Sequence, residues 1–134
     1  MPFIDFSGVT MGRVLLPPGE YDLILEKITQ RQSKAGNTMW NCQFKLAEEI
    51  EGLNAARVFH GCTFTVDSAW NIKRTLFALG IDGEELNGGL READILALFN
   101  SRLSAVVRAK VGLSNYQGNT SNKIEAFQLG GEWI

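Results

Sequence analysis

Strict alternation of apolar and polar side chains over residues 39–47 is the feature that most constrains the fold of this chain. Four core-type side chains, Trp40, Cys42, Phe44 and Leu46, alternate there with Met39, Asn41, Gln43 and Lys45. A period of two places these sets on opposite faces of a strand. The segment therefore predicts a β-strand over Met39–Ala47, with one face in a hydrophobic core and the other towards solvent.

The preceding segment, residues 20–32, predicts a longer and less regular strand. Tyr21, Leu23 and Leu25 share one parity, whereas Ile24 and Ile28 have the opposite one. A long strand that changes its apolar face usually bends or bulges and serves two sheets. Residues 33–38, SerLysAlaGlyAsnThr, consist largely of turn formers, so the first two strands are expected to form a hairpin.

A third strand is predicted from Arg57 to about Val66, after an acidic connection over 48–56. Gly61 interrupts this strand and is a plausible bulge, because glycine within a strand often marks one. A bulge at that position leaves open which of Phe59 and His60 faces the core.

The remainder of the chain predicts two helices followed by a second hairpin. The helices are expected over 69–79 and 92–100. The hairpin consists of strands over 103–113 and 122–129, joined by a loop over 114–121. Gly80 is placed to end the first helix. Trp40, Trp70 and Trp133 are all expected to be packing residues.

Three strands, a helix and a closing hairpin is the element order of the OB-fold, a five-stranded Greek-key barrel with a helix between strands three and four. We therefore predict an all-β fold with a helix. An α+β sandwich and a split β-ribbon fold remain alternatives. The barrel is expected to cover 20–130, after an N-terminal arm, 1–19, and before a short C-terminal tip, 131–134.

Length and composition are those of one ordinary globular domain. The chain has 134 residues, of which 45% are hydrophobic and 21% charged, which argues against a disordered chain. No apolar run approaches the roughly 18 residues of a membrane span, and no secretory signal is recognised. Two cysteines do not make a disulfide framework, so a reducing cytoplasm is the simpler expectation.

Enzyme motifs are weak, and we predict no catalytic residue, metal or cofactor. His60 is the single histidine of the chain, so any triad would have to use it. Cys42, His60 and Cys62 lack the spacing of a zinc site. A phosphate-binding loop of the type GxxxxGK[ST] is also missing from the sequence.

Charge is distributed unevenly, although the net charge is only −2. Lys27–Ala47 and Ile95–Ile124 contain cations and no acid, whereas carboxylates gather in 48–51 and 82–94. Each acid-free window contains one of the two loops that flank the ligand face of an OB barrel. We therefore expect both windows to meet in one positively charged trough.

The candidate nucleic-acid-binding residues lie in these windows and on the outward parity of the strands. They are Arg31, Lys34, Asn37, Met39, Asn41, Gln43, Lys45, Phe59, Arg108, Lys110, Tyr116, Asn119 and Lys123. The cations can neutralise phosphates, and Tyr116, Met39 and Phe59 can stack on bases. Asn41 and Gln43 can hydrogen-bond bases or sugars. Alternatively, outward Arg and Lys only solvate a strand or protect a sheet edge.

Several short motifs along nearly the whole chain resemble a phage-encoded family. They are PheIleAspPheSerGlyVal (3–9), ProGlyGluTyr (18–21), LysAlaGlyAsnThrMet (34–39), ArgValPhe (57–59), AlaTrp…LeuPheAlaLeuGly (69–80) and TyrGlnGlyAsnThrSerAsnLysIle (116–124). That family was long known only as a domain of unknown function and is similar to single-stranded-DNA-binding proteins with OB-folds.

The resemblance implies a protein without catalytic activity that coats single-stranded DNA with little sequence specificity. Its place would be phage DNA replication or recombination in the cytoplasm of a bacterial host, beside phage or host replication and recombination proteins, with a homodimer as one available assembly. The family's two hairpin motifs imply DNA contacts from Lys34, Asn37, Tyr116, Asn119 and Lys123.

One departure concerns the C-terminus. Many single-strand binders end in a long acidic tail, whereas this chain ends GlyGlyGluTrpIle, in which Trp133-Ile134 would be a short hydrophobic docking peptide at most. The alternative function is a protein–protein adaptor or structural virion component that uses the same barrel face.

Overall fold

The structure, a computed structural model, describes residues 14–134, with Tyr116 described by its backbone alone. Within this part of the chain, the protein is a mostly antiparallel six-stranded sheet with two α-helices and one 3₁₀ turn. In chain order the elements are β1 (Gly19–Gln32), β2 (Thr38–Leu46), β3 (Arg57–Thr63), α1 (Ala69–Ala78), the 3₁₀ turn (Gly83–Leu86), α2 (Glu92–Ser101), β4 (Val106–Tyr116), β5 (Asn119–Leu129) and β6 (Glu132–Trp133).

β1 organises the sheet because it pairs on both sides. Its first part, Gly19–Ile24, pairs with β4, and its longer part, Leu23–Gln32, pairs with β2. The register with β2 shifts between Leu25 and Lys27, so that Glu26 forms a bulge. The irregular strand predicted from the change in parity is thus confirmed. The strand order across the sheet is β3-β2-β1-β4-β5-β6.

The core lies between the inner face of the sheet and the helices. The alternation over 39–47 is confirmed, since Trp40, Cys42 and Phe44 are fully buried. Trp40 packs edge-on against Phe64 and tilted against Phe99, with ring centroids 5.7 and 6.0 Å apart. These buried aromatic rings fix which face of β2 points inwards.

The inner faces of β3 and β5 also meet, although the two strands are not neighbours in the hydrogen-bonded order. The ring of His60 on β3 lies edge-on to Phe127 on β5, with centroids 5.2 Å apart. Phe127 also contacts Phe44 on β2 at 6.4 Å. The sheet therefore curls around a shared core.

The expected bulge at Gly61 is wrong. β3 pairs with β2 in unbroken register, with Gly61 opposite Asn41. Regular pairing settles the open question of orientation, because Phe59 is 50% exposed whereas His60 is 7% exposed. The strand also ends at Thr63 instead of near Val66.

The long loop expected over 114–121 is also wrong. β4 continues to Tyr116 and β5 starts at Asn119, which leaves a two-residue turn. Gln117 and Gly118 have φ of 50° and 80°. Positive φ at both positions is typical of the tight turn that matches the twist of paired strands. Backbone pairing thus forms strands from polar residues whose composition suggested a loop.

Both predicted helices are present, but one predicted packing residue is misplaced. α1 ends before Gly80, whose φ is 93°, as expected for a helix terminator. Trp70 on α1 is 62% exposed, and the guanidinium of Arg74 lies 4.7 Å above its ring. The strand predicted from residue 103 starts instead at Val106, so Leu103 precedes β4 and is exposed. None of the described helices is long and apolar enough to cross a membrane.

Both ends of the described chain are attached to the sheet. Asn122 on β5 holds the N-terminal segment, since its side-chain oxygen accepts from the Leu16 N–H and its amide donates to the Leu16 carbonyl, both at 2.9 Å. Leu16 is 1% exposed. At the C-terminus, Ile134 exchanges two backbone hydrogen bonds with Phe127. The tip expected over 131–134 is therefore paired as β6, which argues against a free docking peptide there. The predicted arm residues 1–13 lie outside the described residues.

We expect Asn122→Ala to lower the free energy of unfolding by about 1–3 kcal/mol, because it leaves both buried backbone groups of Leu16 without a partner. Urea unfolding followed by circular dichroism measures the change. Asn115→Ala, at an exposed position of β4, is the matched control and should stay within about 0.5 kcal/mol of wild type. Equal losses for the two variants would contradict the role given to Asn122.

Candidate nucleic-acid interface

The outward side chains of β1 after its bulge, of β2 and of β3 form one surface, here called the outer face. Cross-strand pairing arranges them in rows, which are Arg31–Met39–Thr63, Thr29–Asn41–Gly61, Lys27–Gln43–Phe59 and Lys45–Arg57. Six of the residues predicted from the sequence meet on it: Arg31, Met39, Asn41, Gln43, Lys45 and Phe59. The result is a polar and cationic surface that also carries two apolar side chains, Met39 and Phe59.

Met39 and Phe59 form the apolar strip of the outer face. Phe59 is half exposed. Gly61 lies between them on the surface, and the terminal methyl of Met39 is 3.6 Å from where a Cβ of Gly61 would be. The side chain of Met39 therefore extends over Gly61, on the side of Phe59. The strip therefore offers exposed apolar side chains of the kind that can receive a planar ring.

Cations surround this strip. Within residues 14–134, the ion pairs engage Arg57 and Arg108, and none engages Lys27, Arg31 or Lys45. Lys27 and Arg31 are exposed, and Lys45 is half-buried. Three cations of this face thus have no ion pair among residues 14–134.

The carboxylate of Glu26, at the bulge, is held within the outer face by its neighbours. The amide of Gln43 donates to it at 2.9 Å, and the Nε of Arg57 lies 2.8 Å from it. The hydrogen bond from Gln43, followed by the charges of Arg57 and Lys45, lowers the pKa of Glu26 despite partial desolvation. The negative charge of Glu26 is therefore balanced by its neighbours. The hydrogen bond also fixes the orientation of the Gln43 amide, whose oxygen takes no part in that bond.

Lys34 and Asn37 lie in the turn between β1 and β2, at one end of the outer face. The turn is closed by hydrogen bonds from the Ser33 N–H to the Asn37 carbonyl, at 2.7 Å, and from the Gly36 N–H to the Ser33 carbonyl, at 2.9 Å. Gly36 has a φ of 83°, which a side chain rarely adopts. The turn holds Lys34 exposed beside the ends of both strands.

The predicted cations of β4 are engaged by other groups. Arg108 lies opposite Asp22 on β1 and contacts its carboxylate at 3.2 Å and that of Glu20 at 3.7 Å. The ammonium of Lys110 lies 4.4 Å above the ring of Trp133. These cations lie in a stretch of sequence without acids, but the neighbouring strand β1 supplies two carboxylates.

The single trough expected from the sequence is therefore not what the structure forms. Arg108 pairs with position 22 of β1, whereas Lys34 follows the end of that strand at Gln32. Lys34 thus follows one end of β1, whereas Arg108 pairs near the other end and already has two carboxylate partners.

The second hairpin, formed by β4 and β5, lies beside the outer face. A cleft of about 420 Å³ separates β5 from β3. Arg57 and Phe59 line one side, and Ser121 and Asn122 line the other. Asn119 is exposed beside the hairpin turn, and Lys123 is exposed on β5 opposite Gly112. Tyr116 pairs with Asn119 through its backbone, and its side chain lies outside the described atoms.

The histidine and both cysteines serve the interior. His60 Nε2 is 3.1 Å from both the Asn71 and Thr75 side-chain oxygens on α1, and the hydroxyl of Thr75 also contacts Cys62. The interaction between the two buried thiols raises the pKa of Cys42 and lowers the pKa of Cys62. Among residues 14–134, no three His, Cys, Asp or Glu side chains gather as a metal site would.

Sequence reasoning missed four side chains of the outer face, those of Lys27, Thr29, Arg57 and Thr63. The bulge at Glu26 turns Lys27 and Thr29 outwards, and the change in apolar parity along β1 was a signal for it. Arg57 has the same parity as Phe59, but the bulge expected at Gly61 made the outward parity of β3 ambiguous.

A comparison with known proteins finds no matching family model and no similar curated protein for this chain.

Proposed function

We propose that this protein is an OB-fold module that binds single-stranded nucleic acid, preferably DNA, on its outer face with little sequence specificity and without catalysis. The observation that carries the proposal is the outer face itself, where the strip of Met39 and Phe59 lies among Lys27, Arg31 and Lys45.

Three features support the OB-fold part of the proposal. The first five strands lie in the order β3-β2-β1-β4-β5, and β1 pairs on both sides. Helix α1 lies between β3 and β4 in the chain. The contact of His60 with Phe127 brings together β3 and β5, the two outermost strands of this order. A Greek-key barrel closed between β3 and β5 accounts for all three.

The proposed mechanism combines stacking with phosphate neutralisation. Bases of the ligand lie on Phe59 and Met39, at on the order of 1–3 kcal/mol for each stacked base. Phosphates lie near Lys27, Arg31 and Lys45 and release their condensed counterions. The fixed amide of Gln43 and the neighbouring Asn41 supply hydrogen bonds to bases or sugars.

This mechanism favours a single strand over a duplex. Phe59 can receive the face of a base only where that base is not already stacked inside a double helix. Duplex binding would depend on charge alone, and the net charge of the chain is −2. In the proposed role, the protein protects single-stranded DNA during phage replication or recombination in the cytoplasm of a bacterial host, beside phage or host enzymes.

We expect a fluorescein-labelled oligothymidylate of about 30 nucleotides to bind at low salt at least tenfold more tightly than a duplex of equal length, because only the single strand can stack on the outer face. Fluorescence anisotropy measures both affinities. Equal binding of the two, or none, would contradict the proposed function. If the face instead docks a protein, material purified at low salt should show no excess absorbance at 260 nm.

We expect Arg31→Ala and Lys45→Ala each to weaken oligothymidylate binding and to reduce the slope of log K against log salt by roughly 0.7, the value for one phosphate contact to a single strand. Arg108→Ala is the matched control, since its guanidinium is already paired with Glu20 and Asp22. A larger change in slope for Arg108→Ala than for the other two variants would move the interface to β4.

We expect Phe59→Ala to weaken oligothymidylate binding by about 1–3 kcal/mol while leaving the salt slope unchanged, because it removes a stacking surface and no charge. Anisotropy titrations at three salt concentrations separate the two effects. Val106→Ala, which truncates another exposed apolar side chain on β4, is the control and should bind as wild type. Unchanged affinity in Phe59→Ala would remove stacking from the mechanism.

A further inference from the structure

An apolar groove lies on the helical side of the molecule and plays no part in the proposed nucleic-acid site. It has a volume of about 610 Å³ and runs between α1, the 3₁₀ turn and the start of α2. Its main apolar lining consists of Phe64, Ile72, Leu76, Phe77, Leu86 and Leu90. A second hollow of about 330 Å³ shares Phe64 and Ile72 with it and extends to Val66. Together they make an elongated surface.

Exposed apolar side chains lie at and near one part of this surface. Val66, which lines the second hollow, is 92% exposed, and Trp70, which lines neither hollow but follows Ala69 of their lining, is 62% exposed. Neither side chain contributes to the outer face. An exposed apolar surface of this kind, bordered by polar groups, is typical of a protein–protein contact.

The groove and the outer face lie on opposite sides of β3. His60 contacts Asn71 and Thr75 of α1, so this parity of the strand faces the helical side. Phe59 and Gly61 have the other parity and face away from α1. A ligand in the groove and a nucleic acid on the outer face would therefore not compete for the same surface.

The charge at the groove indicates what it can accept. Asp82 and Glu84 line it, and Glu85 is the next residue of the same 3₁₀ turn. The cation of the lining, Lys73, lies 5.5 Å from the centre of the Phe77 ring. Carboxylates at the rim repel phosphate and attract Lys or Arg.

We propose that this groove docks a peptide segment of a partner protein, in which at least two large apolar side chains are flanked by Lys or Arg. The apolar side chains fill the space against Phe77, Leu86 and Leu90, and the flanking cations face Asp82 and Glu84. This inference does not depend on nucleic-acid binding, because the two surfaces share no residue.

The test is a selection of displayed random 16-residue peptides on the full-length protein. We expect enriched peptides to carry a net positive charge and at least two large apolar residues. The enriched peptide, synthesised with a fluorescent label, should bind Leu90→Asn at least about tenfold more weakly than wild type, since loss of one central apolar contact commonly has an effect of that size. Leu129→Asn, an exposed leucine of β5, is the control and should bind as wild type.

A second variant tests the charge without disturbing the groove. Asp82 and Glu85 cap the 3₁₀ turn reciprocally, whereas the Glu84 side chain takes no part in that capping. Glu84→Gln should therefore weaken the peptide at low salt, by about twofold to fivefold, and leave thermal stability unchanged. This variant keeps the proposal testable if Leu90→Asn fails to fold.

The proposal is overturned if no peptide is enriched, if enriched peptides are acidic, or if Leu90→Asn and Glu84→Gln bind them as wild type. It is also overturned if saturating oligothymidylate displaces the peptide, or if the groove instead pairs two copies of this chain, seen as a dimer in sedimentation that Leu90→Asn abolishes. Failure of oligothymidylate to bind at all would contradict the proposed function and leave this inference intact.

Discussion

The pairing of β1 on both sides, with its bulge at Glu26, is the constraint on which the other surfaces depend. Before the bulge the strand pairs with β4, and after it the strand pairs with β2 alone. One extra residue shifts the parity, so Lys27 faces outwards and Ile28 packs against the core. Without that shift, the second half of β1 would turn its cations towards the interior, and the outer face would lose one of its three strands.

Cross-strand neighbours decide whether a cation of this sheet is available to a ligand. Arg108 and Arg31 both belong to stretches without acids, but Arg108 faces Asp22 whereas Arg31 faces Met39. The nearest charges of a strand residue are set by the register with the next strand and not by its neighbours in sequence. Charge windows along the chain therefore overestimated the unpaired positive charge at β4, whereas Arg31 and Lys45 of the first window have no ion pair among residues 14–134.

Because the side chains of β3 alternate between its two sides, this strand contributes to two different parts of the molecule. Its inward side chains, His60 and Cys62, join Asn71 and Thr75 in a polar network beneath α1. Its outward side chains join the cationic outer face. Two of the carboxylates that the sequence concentrates around residues 82–94, Asp82 and Glu84, line the apolar groove on the helical side. The proposed nucleic-acid surface and the proposed peptide groove thus lie on different parts of one small domain.

The sequence alone determined the strands β1 and β2, both helices, the core face around Trp40 and six residues of the outer face, because these follow from local periodicity and turn chemistry. It did not determine the two-residue turn at Gln117-Gly118, where backbone pairing overrides a loop-like composition, or the regular pairing at Gly61. It also left the partners of Arg108, the exposure of Trp70 and the groove undecided. Each of these depends on which residues of distant segments become neighbours in space. Periodicity and composition along the sequence do not contain that information.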